Sequence, residues 1–215
     1  MRYKALLFDL DGTLINTNEL IIESFLYVLG DKFPGKYTRE SVIPFLGPPL
    51  RETFDSIDPT MTEMLISSYR EWNIQNHDDM VTPFDGVVET LQLLKEKGYK
   101  LAIVSTKRRD MIDRGLRLIN CEDMFDTIVG LDNVTNPKPD PEPLLLALEQ
   151  LNVQPEDALM IGDNYHDIEG GQRAGVDTAA VAWSIKGEAF LATFNPTYII
   201  KHISEIVDIA AGQQA

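Results

Sequence analysis

Ala5-Leu6-Leu7-Phe8-Asp9-Leu10-Asp11-Gly12-Thr13-Leu14 is the stretch whose reading settles the architecture. Its four-residue apolar run, Ala5 to Phe8, is too short for a helix and too continuous for a half-exposed strand. Buried parallel strands have this character. The run ends directly in two carboxylates spaced i, i+2, and Gly12 signals a turn there, so the second carboxylate can swing away from the first. Carboxylates at a buried strand end are expensive unless a cation pairs with them. The competing reading is an Asx-turn without chemistry, a common use of Asp-Gly.

Similar apolar runs recur at Leu101 to Val104, Ile128-Val129, Ala158 to Ile161 and Thr178 to Ala182, with helical stretches between them. Asp85 is placed to cap a helix through Leu94 that stops at Gly98. Asp140 is placed to cap another, with Pro141 at its first position and a stripe of Leu144, Leu145 and Leu148. Alternating strands and helices predict an α/β fold, a doubly wound parallel sheet whose ligand lies beyond the carboxyl ends of the strands. Residues 16–81 interrupt the alternation. The apolar stripe Ile22, Phe25, Leu26 and Leu29 predicts a helix that stops at Gly30. Thr60 and Glu63 have capping-box spacing ahead of Met64, Leu65 and Tyr69. The expected organisation is a core domain of residues 1–15 and 82–215, with a small helical cap domain, 16–81, inserted after the first strand. Its two connections, side by side at one sheet edge, would form a hinge.

The chain has 215 residues, 44% hydrophobic and 25% charged, ordinary for a globular protein and unlike a disordered, collagenous or disulfide-rich chain. At about 150 residues per domain, this length predicts one to two domains. A formal net charge of −15 argues against nucleic acid and anionic lipid as partners. No apolar run approaches the roughly 18 residues of a membrane span. Met1-Arg2-Tyr3-Lys4 leads into too few apolar residues for a signal-peptide core, so a cytoplasmic protein is expected. The one cysteine, Cys121, reads as a small buried hydrophobe.

Three further segments carry chemistry. Gly162-Asp163-Asn164-Tyr165-His166-Asp167 follows an apolar strand and adds carboxylates one helical turn apart, either a helix cap with a solvated Asp167 or part of a hard-metal site. Its His166 reads as an ordinary surface residue. Lys138, in Asn136-Pro137-Lys138-Pro139-Asp140-Pro141, is a solvated turn lysine or an ammonium pre-placed for a phosphoryl group. Ser105-Thr106-Lys107 follows a strand and is a polar loop start or a binder of phosphate oxygens.

In order, these segments resemble the haloacid dehalogenase superfamily, its phosphatase branch in particular, over essentially the whole chain. The resemblance implies a Rossmann-like core with a helical cap. It also implies roles. Asp9 would be the nucleophile that forms an aspartyl-phosphate. Asp11 would be the general acid, then the base that activates water. Mg²⁺ would be held by Asp9, the backbone carbonyl of Asp11 and Asp163, with Asp167 as an outer carboxylate that orients Lys138 or a metal-bound water. Ser105 would bond the transferring phosphoryl group, and Lys138 would neutralise its charge and that of the nucleophile.

The substrate is not set by the core motifs. Asn16-Thr17-Asn18-Glu19-Leu20-Ile21-Ile22, Tyr69-Arg70-Glu71-Trp72-Asn73, Lys107, Gly170-Gly171-Gln172 and Trp183-Ser184-Ile185-Lys186-Gly187 together resemble the inorganic pyrophosphatases of this superfamily. That implies hydrolysis of pyrophosphate, the product of phosphorolytic dephosphorylation of phosphoserine-HPr. Pyrophosphate has no carbon, so its second phosphate needs cationic or N–H donors. Lys107 is the first candidate and Arg51 a weaker one, with Thr106 and Asn18 offering neutral donors. The alternatives are a phosphatase of a small organic phosphate such as 2-phosphoglycolate, a phosphomutase, and a catalytically silent phosphate-binding protein. A monomer is the expected state.

Overall fold

The computed structural model describes residues 1–213. In chain order the strands are β1 (Ala5–Phe8), β2 (Ile15–Asn16), β3 (Thr82–Pro83), β4 (Lys100–Val104), β5 (Thr127–Val129), β6 (Ala158–Gly162), β7 (Asp177–Val181) and β8 (Tyr198–Ile200). The helices are α1 (Asn18–Lys32), α2 (Arg39–Val42), α3 (Leu50–Ile57), α4 (Thr62–Met80), α5 (Val87–Glu96), α6 (Arg109–Leu118), α7 (Glu142–Leu151), α8 (Tyr165–Ala174), α9 (Glu188–Ala192) and α10 (Glu205–Ala211). The chain divides into two compact units, Met1–Ile15 with Pro83–Ala215, and Asn16–Thr82.

The first unit is built on a six-stranded sheet in the order β5-β4-β1-β6-β7-β8, every pair parallel. β1 is central, and Ala5 to Phe8 are fully buried, so the strand is apolar on both faces. Leu144, Ala147, Leu148 and Leu151 of α7 pack with Ala5, Leu7, Ala102, Val104 and Met160 in the main core cluster. This is the doubly wound parallel sheet that the alternation of elements predicts.

Local differences from the sequence reading have local causes. β8 has no counterpart among the expected strands: it is three residues at the sheet edge, half-exposed at Tyr198 and Ile199, and too short to stand out. Asp140 does serve the start of α7, its Oδ1 accepting from the Glu142 N–H at 2.9 Å. Asp85 does not cap α5; Gly86, with φ at 72°, precedes the first helical residue instead. The capping box expected at Thr60 is absent because Asp58 Oδ1 takes both the Thr60 N–H (2.9 Å) and hydroxyl (2.6 Å), and α4 begins at Thr62. α1 runs past Gly30 to Lys32.

The second unit is helical. Phe25 of α1 packs against Phe45, Phe54 and Tyr69 with ring centroids 5.4, 5.5 and 4.8 Å away. A buried polar chain crosses the same interior: Asn73 Nδ2 donates to Ser24 Oγ at 3.0 Å, and Ser24 Oγ to the Leu20 carbonyl at 2.6 Å. Among the described residues no helix is long and apolar enough to cross a membrane.

Candidate active site

Parallel register decides where the site forms. Phe8 pairs with Ile103 on one side and Ile161 on the other, so the residues that follow these three leave the sheet at one edge. The Asp9 N–H continues the ladder to the Ile161 carbonyl at 2.9 Å, and the Ser105 N–H reaches the Val129 carbonyl at 3.0 Å. Gly12 then turns the chain with φ at 79°, a value that favours glycine, and a Cβ there would collide with the Asp163 carboxylate. Asp9, Asp11 and Asp163 are drawn together by backbone geometry before any side-chain bond is counted.

Lys138 arrives from the proline-rich loop ahead of α7. Its ammonium donates to Asp9 Oδ1 (3.0 Å), Asp167 Oδ1 (2.6 Å) and the Val104 carbonyl (2.6 Å), and the residue is 2% exposed. All three donors are thus used inside the protein. Burial alone would lower the Lys138 ammonium, but the carboxylates of Asp167 and Asp9 outweigh it and hold the group above its ordinary value. Asp167 is fixed from its other side, Oδ2 accepting the Asn164 N–H at 3.0 Å. Gly162 makes this possible, because a Cβ at that position would collide with the Asp167 side chain.

Asp9, Asp163 and Asp167 each offer a carboxylate oxygen, and these oxygens lie within 4.8 Å of one another. Burial raises Asp9 to about 7, against the charge of Lys138, with Asp167 and Asp11 adding to the rise. Burial, then Asp9 and Asp167, raise Asp163 well above the usual carboxylate range. Among the described residues the Asp163 carboxylate accepts no hydrogen bond, although the residue is 7% exposed. A nearly buried carboxylate without a donor, beside two more carboxylates and one ammonium, fits a cation. An all-oxygen set suits a hard divalent ion.

The remaining predicted residues fall into two groups. Ser105 is buried at the end of β4, its Oγ accepting the Lys107 N–H at 3.2 Å, and Thr106 beside it is half-buried. Lys107 Nζ donates to Asp11 Oδ1 at 2.8 Å, so the lysine reserved for a second phosphate is paired with the proposed acid. Asn18 and Arg51 belong to the second unit. Asn18 opens α1, its N–H on Asn16 Oδ1 at 3.3 Å, and the exposed Arg51 is ion-paired with Glu63.

His166 is not a surface residue. It is 3% exposed, with Nδ1 3.0 Å from Asn164 Oδ1, and burial lowers it to about 3, so it is neutral at physiological pH. Two contributors escape a sequence reading. Asn164 orients Asp167 through its backbone N–H, and the Ser184 hydroxyl holds the Asp163 carbonyl at 2.7 Å. Asn164 lies inside a motif and could have been suspected, whereas nothing in the sequence marks Ser184.

Similarity to known proteins agrees with this geometry. The sequence profile of the haloacid dehalogenase-like hydrolases matches residues 6–181. Pyrophosphatase PpaX of Bacillus anthracis is 50% identical over 209 residues, 97% of each chain. A predicted phosphatase from Clostridium acetobutylicum superposes with a TM-score of 0.88 at 27% identity, over 99% of this chain and all of the other. A haloacid dehalogenase-like family hydrolase from Streptococcus pneumoniae gives 0.85 at 25% identity, over 97% and 98%. With the strand order, the strand-end carboxylates and the buried lysine, these likenesses lead to one conclusion: the chain belongs to the haloacid dehalogenase-like hydrolase family.

Proposed function

We propose that this protein hydrolyses inorganic pyrophosphate to two phosphates through an aspartyl-phosphate on Asp9, with Mg²⁺ as its cation. The observation that carries the chemistry is the buried Lys138 ammonium shared by Asp9 and Asp167 beside the undonated Asp163 carboxylate. The likeness to Pyrophosphatase PpaX, at 50% identity over nearly the whole chain, supports the choice of substrate.

Asp9 Oδ attacks phosphorus, and the bridging P–O bond breaks. The leaving phosphate takes its proton from Asp11. Asp11, now a carboxylate, removes a proton from water; the water oxygen attacks the phosphorus, and the Asp9 carboxylate is regenerated. Asp9, Asp163 and the Asp11 carbonyl would hold Mg²⁺, which supplies charge neutralisation between two anions that otherwise repel. Lys138 adds a fixed positive charge at the nucleophile, and Ser105 offers a hydroxyl to the transferring group. The Lys107–Asp11 contact suits this order of events. When Asp11 carries the proton for the first step it has no charge to hold Lys107, and the ammonium is released to the second phosphate. The reading places the protein in the cytoplasm, as a monomer acting on a small phosphorylated substrate, with phosphorolysis of phosphoserine-HPr as a source of pyrophosphate.

Phosphate release from pyrophosphate, 2-phosphoglycolate and sugar phosphates, with Mg²⁺ and then with chelator, tests the proposal. Pyrophosphate is expected to be the preferred substrate and chelation to abolish turnover. Preference for 2-phosphoglycolate would overturn the substrate assignment, and undiminished turnover in chelator would overturn the metal.

A further inference from the structure

One cation beside the carboxylate cluster has no role in the scheme above. Lys186 stands in the loop after β7, half-buried, and among the described residues its ammonium makes no hydrogen bond and no ion pair. The loop is seated on the cluster itself. Ser184 Oγ donates to the Asp163 carbonyl at 2.7 Å and accepts the Lys186 N–H at 3.2 Å, while the Gly187 N–H returns to the Ser184 carbonyl at 3.0 Å. The ammonium lies 5.7 Å from the ring centroid of Tyr165, two residues after Asp163. Burial lowers it from its ordinary value, while Asp163 and Asp167 pull it upward. The charges of Lys186 and Lys138 both act to lower Asp163.

The stem of this side chain is partly covered while its ammonium is left without a carboxylate partner among the described residues. Formal charge says what it could serve. With Asp11 protonated for the first step, Asp9, Asp163 and Asp167 are outweighed by Lys138, Lys107 and one divalent cation by a single charge, fewer than a polyanion carries. Lys186 doubles that surplus. Lys138 is already counted in that sum, and its three donors are used inside the protein, so it has none left for a second phosphate.

We propose that Lys186 is a substrate-binding residue that receives the phosphate of pyrophosphate not attacked by Asp9, held in place by the Ser184–Asp163 bond. This deepens the pyrophosphatase reading and rests on it. A monophosphate presents less charge at that position and gains less from the same ammonium.

Binding tests this without turnover. Imidodiphosphate, in which P–N–P replaces P–O–P, and orthophosphate are titrated calorimetrically into the full-length protein with Mg²⁺ present. Lys186→Met is expected to weaken imidodiphosphate at least about tenfold more than orthophosphate, and Lys186→Arg to recover most of the loss. Equal weakening of both anions, no weakening, or a change confined to Mg²⁺ affinity would overturn the assignment, as would a wild-type protein that does not bind imidodiphosphate. Should Lys186→Met not fold, failure of the folded Lys186→Gln to show the same ratio would overturn it. Steady-state assays of the wild type on pyrophosphate decide the underlying reading separately, because the imidodiphosphate-to-orthophosphate ratio does not depend on hydrolysis.

Discussion

Asp163 and Asp167 stand one helical turn apart, yet their oxygens are used differently. Both oxygens of Asp167 are occupied, by Lys138 and by the Asn164 N–H, whereas the Asp163 carboxylate accepts from no described residue. On the proposed function, Asp163 is the carboxylate that ligates the cation, and Asp167 the one that aims Lys138. Asp163→Asn is expected to weaken Mg²⁺ binding by at least about tenfold more than Asp167→Asn, measured by calorimetric titration. Asp167→Asn should instead cost stability, about 1–3 kcal/mol by denaturant unfolding, because it replaces the charged acceptor of a buried hydrogen bond from Lys138. Asp9→Asn removes the proposed nucleophile, and turnover should fall by at least about a thousandfold with the fold retained by circular dichroism.

At the scale of elements, the turn after β6 works because Gly162 has no side chain. The Asp167 carboxylate lies where a Cβ would stand, and only that approach lets α8 deliver it to Lys138. Gly162→Ala forces Asp167 aside. The expected result is a loss of about 1–3 kcal/mol in denaturant unfolding, together with reduced turnover. An alanine variant as stable and active as wild type would show that α8 can shift without disturbing the Lys138–Asp167 pair. Sequence reading reached this turn as a motif but not its cause, since glycine beside aspartate is equally consistent with a plain helix cap. It also read Thr60 as a cap, where the competing hydrogen bonds of Asp58 win by being closer along the chain.

For the whole molecule, the carboxylate cluster couples folding to protons and to metal. Asp9 rises to about 7 and Asp163 rises too, so the metal-free folded state binds more protons than the unfolded chain above the ordinary aspartate range. Stability from these groups is full below that range and is lost as pH climbs towards about 7. A bound cation removes the repulsion. The rise in melting temperature caused by Mg²⁺ over chelator should therefore be larger at pH 7.5 than at pH 5. An equal rise at both values would mean that the cation is not balancing these carboxylates.

The sequence by itself determined the buried parallel strands, because β1, β4 and β6 must be apolar on both faces, and it offered the strand-end carboxylates and the proline-loop lysine as candidates for chemistry. Only the tertiary structure decided which of them meet. Parallel register brings Asp9 and Asp163 to one sheet edge across more than 150 residues of chain, and a buried ammonium links Asp9 to Asp167. The same applies to Lys107 and Ser184, whose bonds to Asp11 and to the Asp163 carbonyl depend on side-chain directions in space. Local pattern carries the first kind of information because burial and hydrogen bonding act residue by residue; convergence depends on how distant strands pair, which no local pattern encodes.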